Sequence, residues 1–445
     1  MKLVLAFNQW QPYSIIKFFI QPKKLLVALG IVVASVVVMG TNVGTKVHMS
    51  AQNVYPQGKQ FPLALYSLHE AQDMQSARKS GWKIAQTYHF NPAFLQTVTE
   101  GQMLALASLP GKSQPVPEAR LANNIATLAK SDRVAWWEFP EERRYWRDGE
   151  MAIVTKYAKW TRKYDPKKRP NYMYIPGHYN AQDVQQYVPY LDIIPASVYT
   201  KYVEMPHSWV RWRMETTLKG IELAQAKIGA NYLKGEKTPV AVLELFHEPG
   251  NMLITPEGAY HDFWQSIVSG ARGILVFSYF RKRNHPQLEK VWQVYDQAVR
   301  EITGKEQLGA AILYGKRLDN INFQIIDGPK RTEQFIFSDM EQPISFPSIN
   351  ILTLAWNKST YIIAVNSADE PVSAKFTGFA NTTDEATVLF ANKTICLSNG
   401  TLNTVFKPLG VQILKISMDS KNTKALEERN KKICKLLPTR INGNF

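Results

Sequence analysis

From residue 61 to residue 279 the chain repeats one pattern. A short, almost wholly apolar run is followed by a stretch in which apolar residues return at helical spacing. The runs are Phe61–Tyr66, Trp82–Tyr88, Gln102–Ala107, Arg133–Trp137, Asn171–Ile175, Leu191–Tyr199, Thr238–Glu244 and Gly273–Tyr279. Near-continuous hydrophobicity marks strands covered on both faces, as in a parallel sheet, whereas half-exposed strands alternate. The stretches between them, such as Glu70–Lys79, Glu118–Ala129, Trp209–Tyr232 and Ala259–Ser269, predict crossover helices. Eight strand–helix units over about 250 residues are the size and rhythm of a (β/α)8 TIM barrel, here residues 55–305. An open doubly wound sheet is the rival fold, but no run leads into a glycine-rich phosphate turn, so dinucleotide binding has no support.

Beyond residue 305 the pattern changes. Short alternating segments (Ala310–Tyr314, Ile321–Ile326, Gln334–Phe337, Ile349–Ala355, Ser359–Val365, Ser373–Phe379, Glu385–Leu389 and Gly410–Ile416) are separated by Asn, Asp, Gly and Ser turns. This predicts an antiparallel β-sandwich over residues 306–420. Residues 421–445 are polar and basic and read as a tail. Cys396 and Cys434, the two cysteines, leave a disulfide and a pair of thiols both open, and exclude any cysteine-rich metal module.

Residues 1–50 stand apart. From Leu25 to Met39 the chain is apolar or small throughout, and lysines 2, 17, 23 and 24 precede that core. A basic leader ahead of an apolar core predicts a signal peptide or N-terminal membrane anchor, with the remainder outside the cytoplasm. The segment's expected contacts are the membrane or the export machinery. The net charge of +16 is concentrated at the two ends, and the middle has no Lys/Arg run interleaved with aromatics. A nucleic-acid partner is therefore not expected, whereas a polyanionic saccharide or an anionic surface is compatible with the mild positive field.

In a TIM barrel the reacting groups stand at the carboxyl ends of the strands. Two runs end in glutamates there: Val134-Ala-Trp-Trp-Glu-Phe-Pro-Glu-Glu142 and Pro239-Val-Ala-Val-Leu-Glu-Leu-Phe-His-Glu248. The ends of the fourth and seventh strands face each other across the barrel mouth. Two carboxyl groups flanking one bond are what glycoside cleavage requires, one to protonate the leaving oxygen and one to attack the anomeric carbon or activate water.

These segments resemble the retaining clan A glycoside hydrolases, TIM barrels in which an acid/base Glu follows strand four and a nucleophile Glu ends strand seven. Pro239-Val-Ala-Val-Leu-Glu244-Leu is similar to the family's Pro-Val-x-Val-Thr-Glu-Phe, and seven residues on from Val134, as in its strand-four motif, is Glu141. The resemblance implies Glu141 as general acid/base, with Glu138 and Glu142 as alternatives, and Glu244 in preference to Glu248 as nucleophile. The chain departs from the family in having Pro140 where the family has Asn, Tyr88-His89 with no Arg after the second run, and Tyr279-Phe280 with no Trp after the eighth.

Aromatic and imidazole side chains gather at the same strand ends. Tyr66, Tyr88, His89, Trp137, His178, Tyr199, His247 and Tyr279 are the expected substrate contacts, because sugar rings stack their C–H faces on aromatic planes and need a few polar groups to fix orientation. No metal-ligand spacing or serine-hydrolase motif is present, and no cofactor is expected. The sequence thus points to an exported glycoside hydrolase-like protein acting on a carbohydrate, or to a non-catalytic saccharide-binding or polysaccharide-assembly protein on the same barrel.

Overall fold

The computed structural model describes residues 60–88, 92–111, 116–228, 237–283, 285–337, 340–379 and 385–417. The expected export segment, His89, the linker up to Lys59, and the basic tail with Cys434 lie outside the described residues. No helix among the described residues is long and apolar enough to cross a membrane.

The first eight strands close into a parallel barrel, with β1 hydrogen-bonded to both β2 and β8. In chain order its elements are β1 (Leu63–Leu65), α1 (Ala71–Ser80), β2 (Ile84–Gln86), α2 (Phe94–Glu100), β3 (Leu104–Ser108), α3 (Glu118–Ala129), β4 (Val134–Glu138) and α4 (Glu150–Tyr164). They continue with β5 (Asn171–Tyr172), α5 (Ala181–Tyr187), β6 (Ile193–Val198), α6 (Trp209–Ile228), β7 (Thr238–Glu244), α7 (Pro256–Val268), β8 (Ile274–Phe277) and α8 (Pro286–Thr303). Helix starts follow local chemistry. Asn180 and Asp183 form a reciprocal capping box on α5, and Thr255 caps α7 ahead of a proline in its first turn.

Strand phase decides what reaches the barrel mouth. On β7, Val240 and Val242 belong to the inner barrel core with Ala64, Leu106, Trp136 and Leu275, while Ala241 and Leu243 pack outward against the helices. Glu244, two residues beyond Val242, has the inward phase. On β4 the register with β3 slips: Ala105 pairs with Val134 but Leu106 with Trp136. The slip puts Trp136 in the inner core and Trp137 in the helix layer, and gives Glu138 the inward phase.

The C-terminal region follows α9 (Leu308–Tyr314) and contains β9 (Lys316–Arg317), β10 (Asn322–Asp327), β11 (Ile349–Trp356), β12 (Ser359–Asn366), β13 (Val372–Thr377), β14 (Glu385–Val388), β15 (Lys393–Cys396), β16 (Thr401–Phe406) and β17 (Val411–Ser417). They form two antiparallel sheets, β10-β13-β16 and β15-β14-β17-β12-β11-β9. Between the sheets lie Ile362, Ala364, Val372, Phe376, Leu402 and Leu414. The larger sheet turns Leu352, Leu354, Ile363 and Val365 into the same core as the barrel helices. Asn350 Nδ2 donates to Ser269 Oγ at 3.1 Å, and His261 Nε2 lies 2.9 Å from Ser367 Oγ. Cys396 is disulfide-bonded.

Two expected strands take other forms. Ala310–Tyr314 is part of helix α9, whose buried Leu308, Ala311 and Ile312 have helical spacing that a run this short does not disclose by pattern. Gln334–Phe337 contributes only an isolated bridge, Phe335 to Ile344.

Candidate active site

Glu138 stands at the end of β4, 2% exposed. Its Oε2 accepts hydrogen bonds from Gln86 Nε2 at 2.8 Å and from Ser108 Oγ, the last residues of β2 and β3. Its Oε1 is buried and meets no donor with hydrogen-bond geometry among the described residues. Burial first, and the nearby Glu141 carboxylate second, push the Glu138 carboxyl well above the usual range, and the hydrogen bonds from Ser108 and Gln86 only partly offset them. Glu141 is half-buried in the following loop and accepts from the Tyr88 hydroxyl at 3.2 Å. The Tyr66 and Tyr172 hydroxyls bond to each other, and both phenols feel the charges of Glu138 and Glu141. Thus Glu138, Glu141, Tyr66 and Tyr88 form one cluster around a carboxyl pushed toward its protonated form.

Glu244 ends β7, also 2% exposed. Its Oε2 accepts from the backbone N–H of Lys201 at 3.0 Å and of Tyr202 at 3.3 Å, in the turn after β6. Burial raises its carboxyl to about 8, against the pull of those two N–H groups, with the Asp262 charge adding to the rise. Tyr295 of α8 donates to the Glu244 carbonyl at 2.9 Å. The same turn is anchored from behind, where Thr200 Oγ1 donates to Asp262 Oδ2 at 3.0 Å. Asp262 Oδ1 in turn accepts from His207 Nδ1 at 2.7 Å and His261 Nδ1 at 2.8 Å. Burial works against the Asp262 anion, yet the two imidazoles outweigh it and hold the carboxyl down at about 2. These three residues have the atom types of a metal site. Their facing atoms, however, already bond one another, and His261 Nε2 is taken by Ser367. The cluster acts as a buried anchor.

Aromatic rings connect the two glutamate neighbourhoods. Tyr88 meets Tyr66 at 6.0 Å between centroids, Tyr66 meets Phe277 at 5.6 Å, Phe277 meets Tyr199 at 6.1 Å, and Tyr199 stacks on Tyr174 at 6.2 Å. Beside Tyr199 opens a cleft of about 160 Å3 lined by Glu142, Arg144, Tyr174, His178, Ser197, Tyr199, Tyr202 and Trp209 among others. It lies at the carboxyl ends of β5 and β6, where barrel chemistry is expected. The chain is similar to solved glycoside hydrolases. These include an α-amylase from Geobacillus thermoleovorans (8% identity, 80% of this chain and 98% of that one, TM-score 0.49) and a GH30 endoxylanase from Clostridium papyrosolvens C71 (10%, 82% and 98%, TM-score 0.46). An α-galactosidase from Mortierella vinacea is matched at 9% identity over 81% and 97%, with TM-score 0.47. No family model and no curated protein matches. At these scores the likeness assigns no residue, so the site is read from its own geometry.

Three expected contacts sit apart from the mouth. Trp137 is wholly buried in the helix layer, its Nε1 donating to Asp165 Oδ2 at 2.9 Å, because the β4 slip turns it outward. Tyr279 packs edge-on against Trp292 at 4.9 Å under the Lys282 ammonium. His247 lies in the loop after β7 with its Nε2 3.0 Å from the Asn251 carbonyl; Glu248 is in the same loop. His178 and Tyr199 line the cleft. Gln86, Ser108, Tyr172 and Tyr174 were not singled out in the sequence. The first two carried a usable signal, being polar residues at the last position of otherwise apolar strands.

Proposed function

We propose that this protein is a glycoside hydrolase that cleaves a poly- or oligosaccharide, with Glu138 as general acid/base and Glu244 as nucleophile in a retaining reaction. The observation that carries the reading is the Glu138 carboxyl. It is buried at a strand end, held on one oxygen by Gln86 and Ser108, and kept protonated by burial and by Glu141. A carboxyl that stays neutral at pH 7 is what a leaving glycosidic oxygen requires. The motif count favours Glu141, but strand phase favours Glu138, and Glu141 is then the neighbour that tunes it.

In the reaction the Glu138 proton passes to the glycosidic oxygen as its bond to the anomeric carbon breaks. Glu244, whose carboxyl burial holds at about 8, first gives its proton to solvent and then bonds to that carbon as the carboxylate. The N–H groups of Lys201 and Tyr202 are donors suited to its anion. Glu138, now ionised, then takes a proton from water, which displaces Glu244 and regenerates the acid. The Tyr199 and Tyr174 rings, which line the cleft, offer flat faces for the sugar. An exported location, expected from residues 1–50, suits an enzyme acting on saccharides too large to enter a cell.

A second reading is favoured by one observation. Both carboxyl groups are only 2% exposed, which suits a saccharide-binding protein that keeps the barrel without turnover. Release of reducing ends from a polysaccharide panel separates the two. The wild-type chain releases them, and Glu138→Gln and Glu244→Gln each lower the rate by at least about 100-fold while leaving saccharide binding intact. Unchanged release in either variant refutes its assigned role, and binding with no release by the wild type selects the second reading.

A further inference from the structure

Behind the cleft, one helical turn along α6 from the lining residue Trp209, lies a cation with no ion-pair partner among the described residues. Arg213, near the start of α6, is wholly buried. Its Nη1 donates to the Tyr179 carbonyl at 2.6 Å, while Nε and Nη2 have no hydrogen-bond partner among the described residues. The acid that acts on it, Asp183, is committed elsewhere. Its Oδ1 accepts from the Tyr145 hydroxyl at 2.8 Å and its Oδ2 from the Asn180 N–H at 2.9 Å. Burial lowers the guanidinium to about 10, which still leaves it charged at neutral pH.

His178 lies in the field of this arginine. Burial first, then the charges of Arg213 and Arg144, hold its imidazole below the usual range, against the opposing charge of Asp183. His178 and Arg144 line the cleft together with Trp209, which begins α6, and with Glu142, the one carboxylate in the lining. The Tyr179 ring meets the ring of the exposed residue His178 edge-on at 4.9 Å. Cations thus approach from α6 and from the loop after β4, and the acids from α5 and from the same loop.

We propose that the cleft takes an acidic saccharide, whose uronic-acid carboxylate sits against His178 with Arg144 and Arg213 behind it. The inference rests on the saccharide reading above and names its substrate class. A buried guanidinium with no anion beside it is costly, and a carboxylate arriving in the adjoining cleft stabilises it through space. A neutral sugar brings hydroxyls but no charge. An arriving carboxylate also removes the reason for His178 to stay neutral, so binding is accompanied by proton uptake.

The test is calorimetric titration of the full chain with trimers of galacturonate, glucuronate and mannuronate. Each is compared with the same trimer after its carboxyl groups are reduced to alcohols, and with a sulfated neutral trimer. We expect at least one uronate to bind tenfold or more tighter than its reduced form, with proton uptake seen as a buffer-dependent heat near pH 7. Arg213→Met and His178→Gln should each bring the two affinities within about threefold. If Arg213→Met does not fold, His178→Gln and Arg144→Gln decide. Equal affinity for acid and reduced forms in the wild type, a preference surviving in His178→Gln, or binding of the sulfated trimer alone would overturn the proposal. Release of reducing ends from neutral saccharides only would sink this inference and keep the hydrolase reading; tight uronate binding without release would do the reverse.

Discussion

Two substitutions should move the alkaline limb of the pH–rate profile in opposite directions. The proposed reaction needs Glu138 protonated and Glu244, which burial raises to about 8, ionised, so kcat/KM is bell-shaped, its acid limb reporting Glu244 and its alkaline limb Glu138 in the free enzyme. Gln86 Nε2 donates to its anion at 2.8 Å. A hydrogen bond to a charged group contributes about 1.5–3 kcal/mol, and about 1.4 kcal/mol corresponds to one pH unit. Gln86→Leu removes the donor, favours the protonated form, and should raise the limb by about one to two pH units. Glu141→Gln removes the like charge that is second only to burial among the causes of the shift, and should lower the limb by about one pH unit. Reducing-end release measured from pH 5 to 10 at low substrate gives both limbs. Movement of both variants in the same direction, or of neither, would refute the carboxyl pairing and with it Glu138 as proton donor.

Stability gives further checks. Because Glu244 titrates near 8 in the folded protein and near 4.5 unfolded, its contribution is fully present below about pH 4.5 and is lost as pH rises through 8. Glu244→Gln should therefore raise Tm at pH 8 by several degrees, about 2–4 °C for each kcal/mol of the relieved cost, while changing it little at pH 5; a variant that melts lower at pH 8 contradicts the assigned shift. Asp165 accepts from Trp137 Nε1, Arg169 Nη1 and two backbone N–H groups. Asp165→Ala leaves the buried Arg169 charge uncompensated and should cost about 3–5 kcal/mol in urea unfolding, where a cost under about 1 kcal/mol would show the pair to be dispensable. A Cβ on Gly258 would come within 2.5 Å of His207 Cε1, so Gly258→Ala should destabilise by about 1–3 kcal/mol. An unchanged urea midpoint would show the imidazole free to move aside.

The barrel strands could be read from sequence because burial on both faces leaves a continuous apolar run, as in Pro239-Val-Ala-Val-Leu243 of β7. The sandwich was less legible. Strand β16 buries Leu402, Thr404 and Phe406 and exposes the residues between them, and β15 is half to fully exposed, so neither reads as apolar. At the site, the glutamates at the ends of β4 and β7 were visible as residues but not by facing. The slip between Ala105 and Leu106 reverses the phase of Trp136 and Trp137, and no local pattern announces it. Arg213 gave no signal at all, since an arginine near a helix start is ordinarily solvated.

The shared packing of the larger sheet against the barrel changes what a truncation would mean. Leu352, Leu354, Ile363 and Val365 lie in one apolar core with the barrel helices, Ser367 meets His261, and His261 steadies the Asp262 that holds the turn carrying the Lys201 and Tyr202 N–H groups. A chain ending at residue 305 would present that apolar face to water and leave the imidazole without its hydroxyl neighbour. The sandwich is therefore a poor subject for module swapping: exchanging it for another would change the packing behind Glu244, and with it the pH at which that carboxyl ionises, without altering any residue of the barrel.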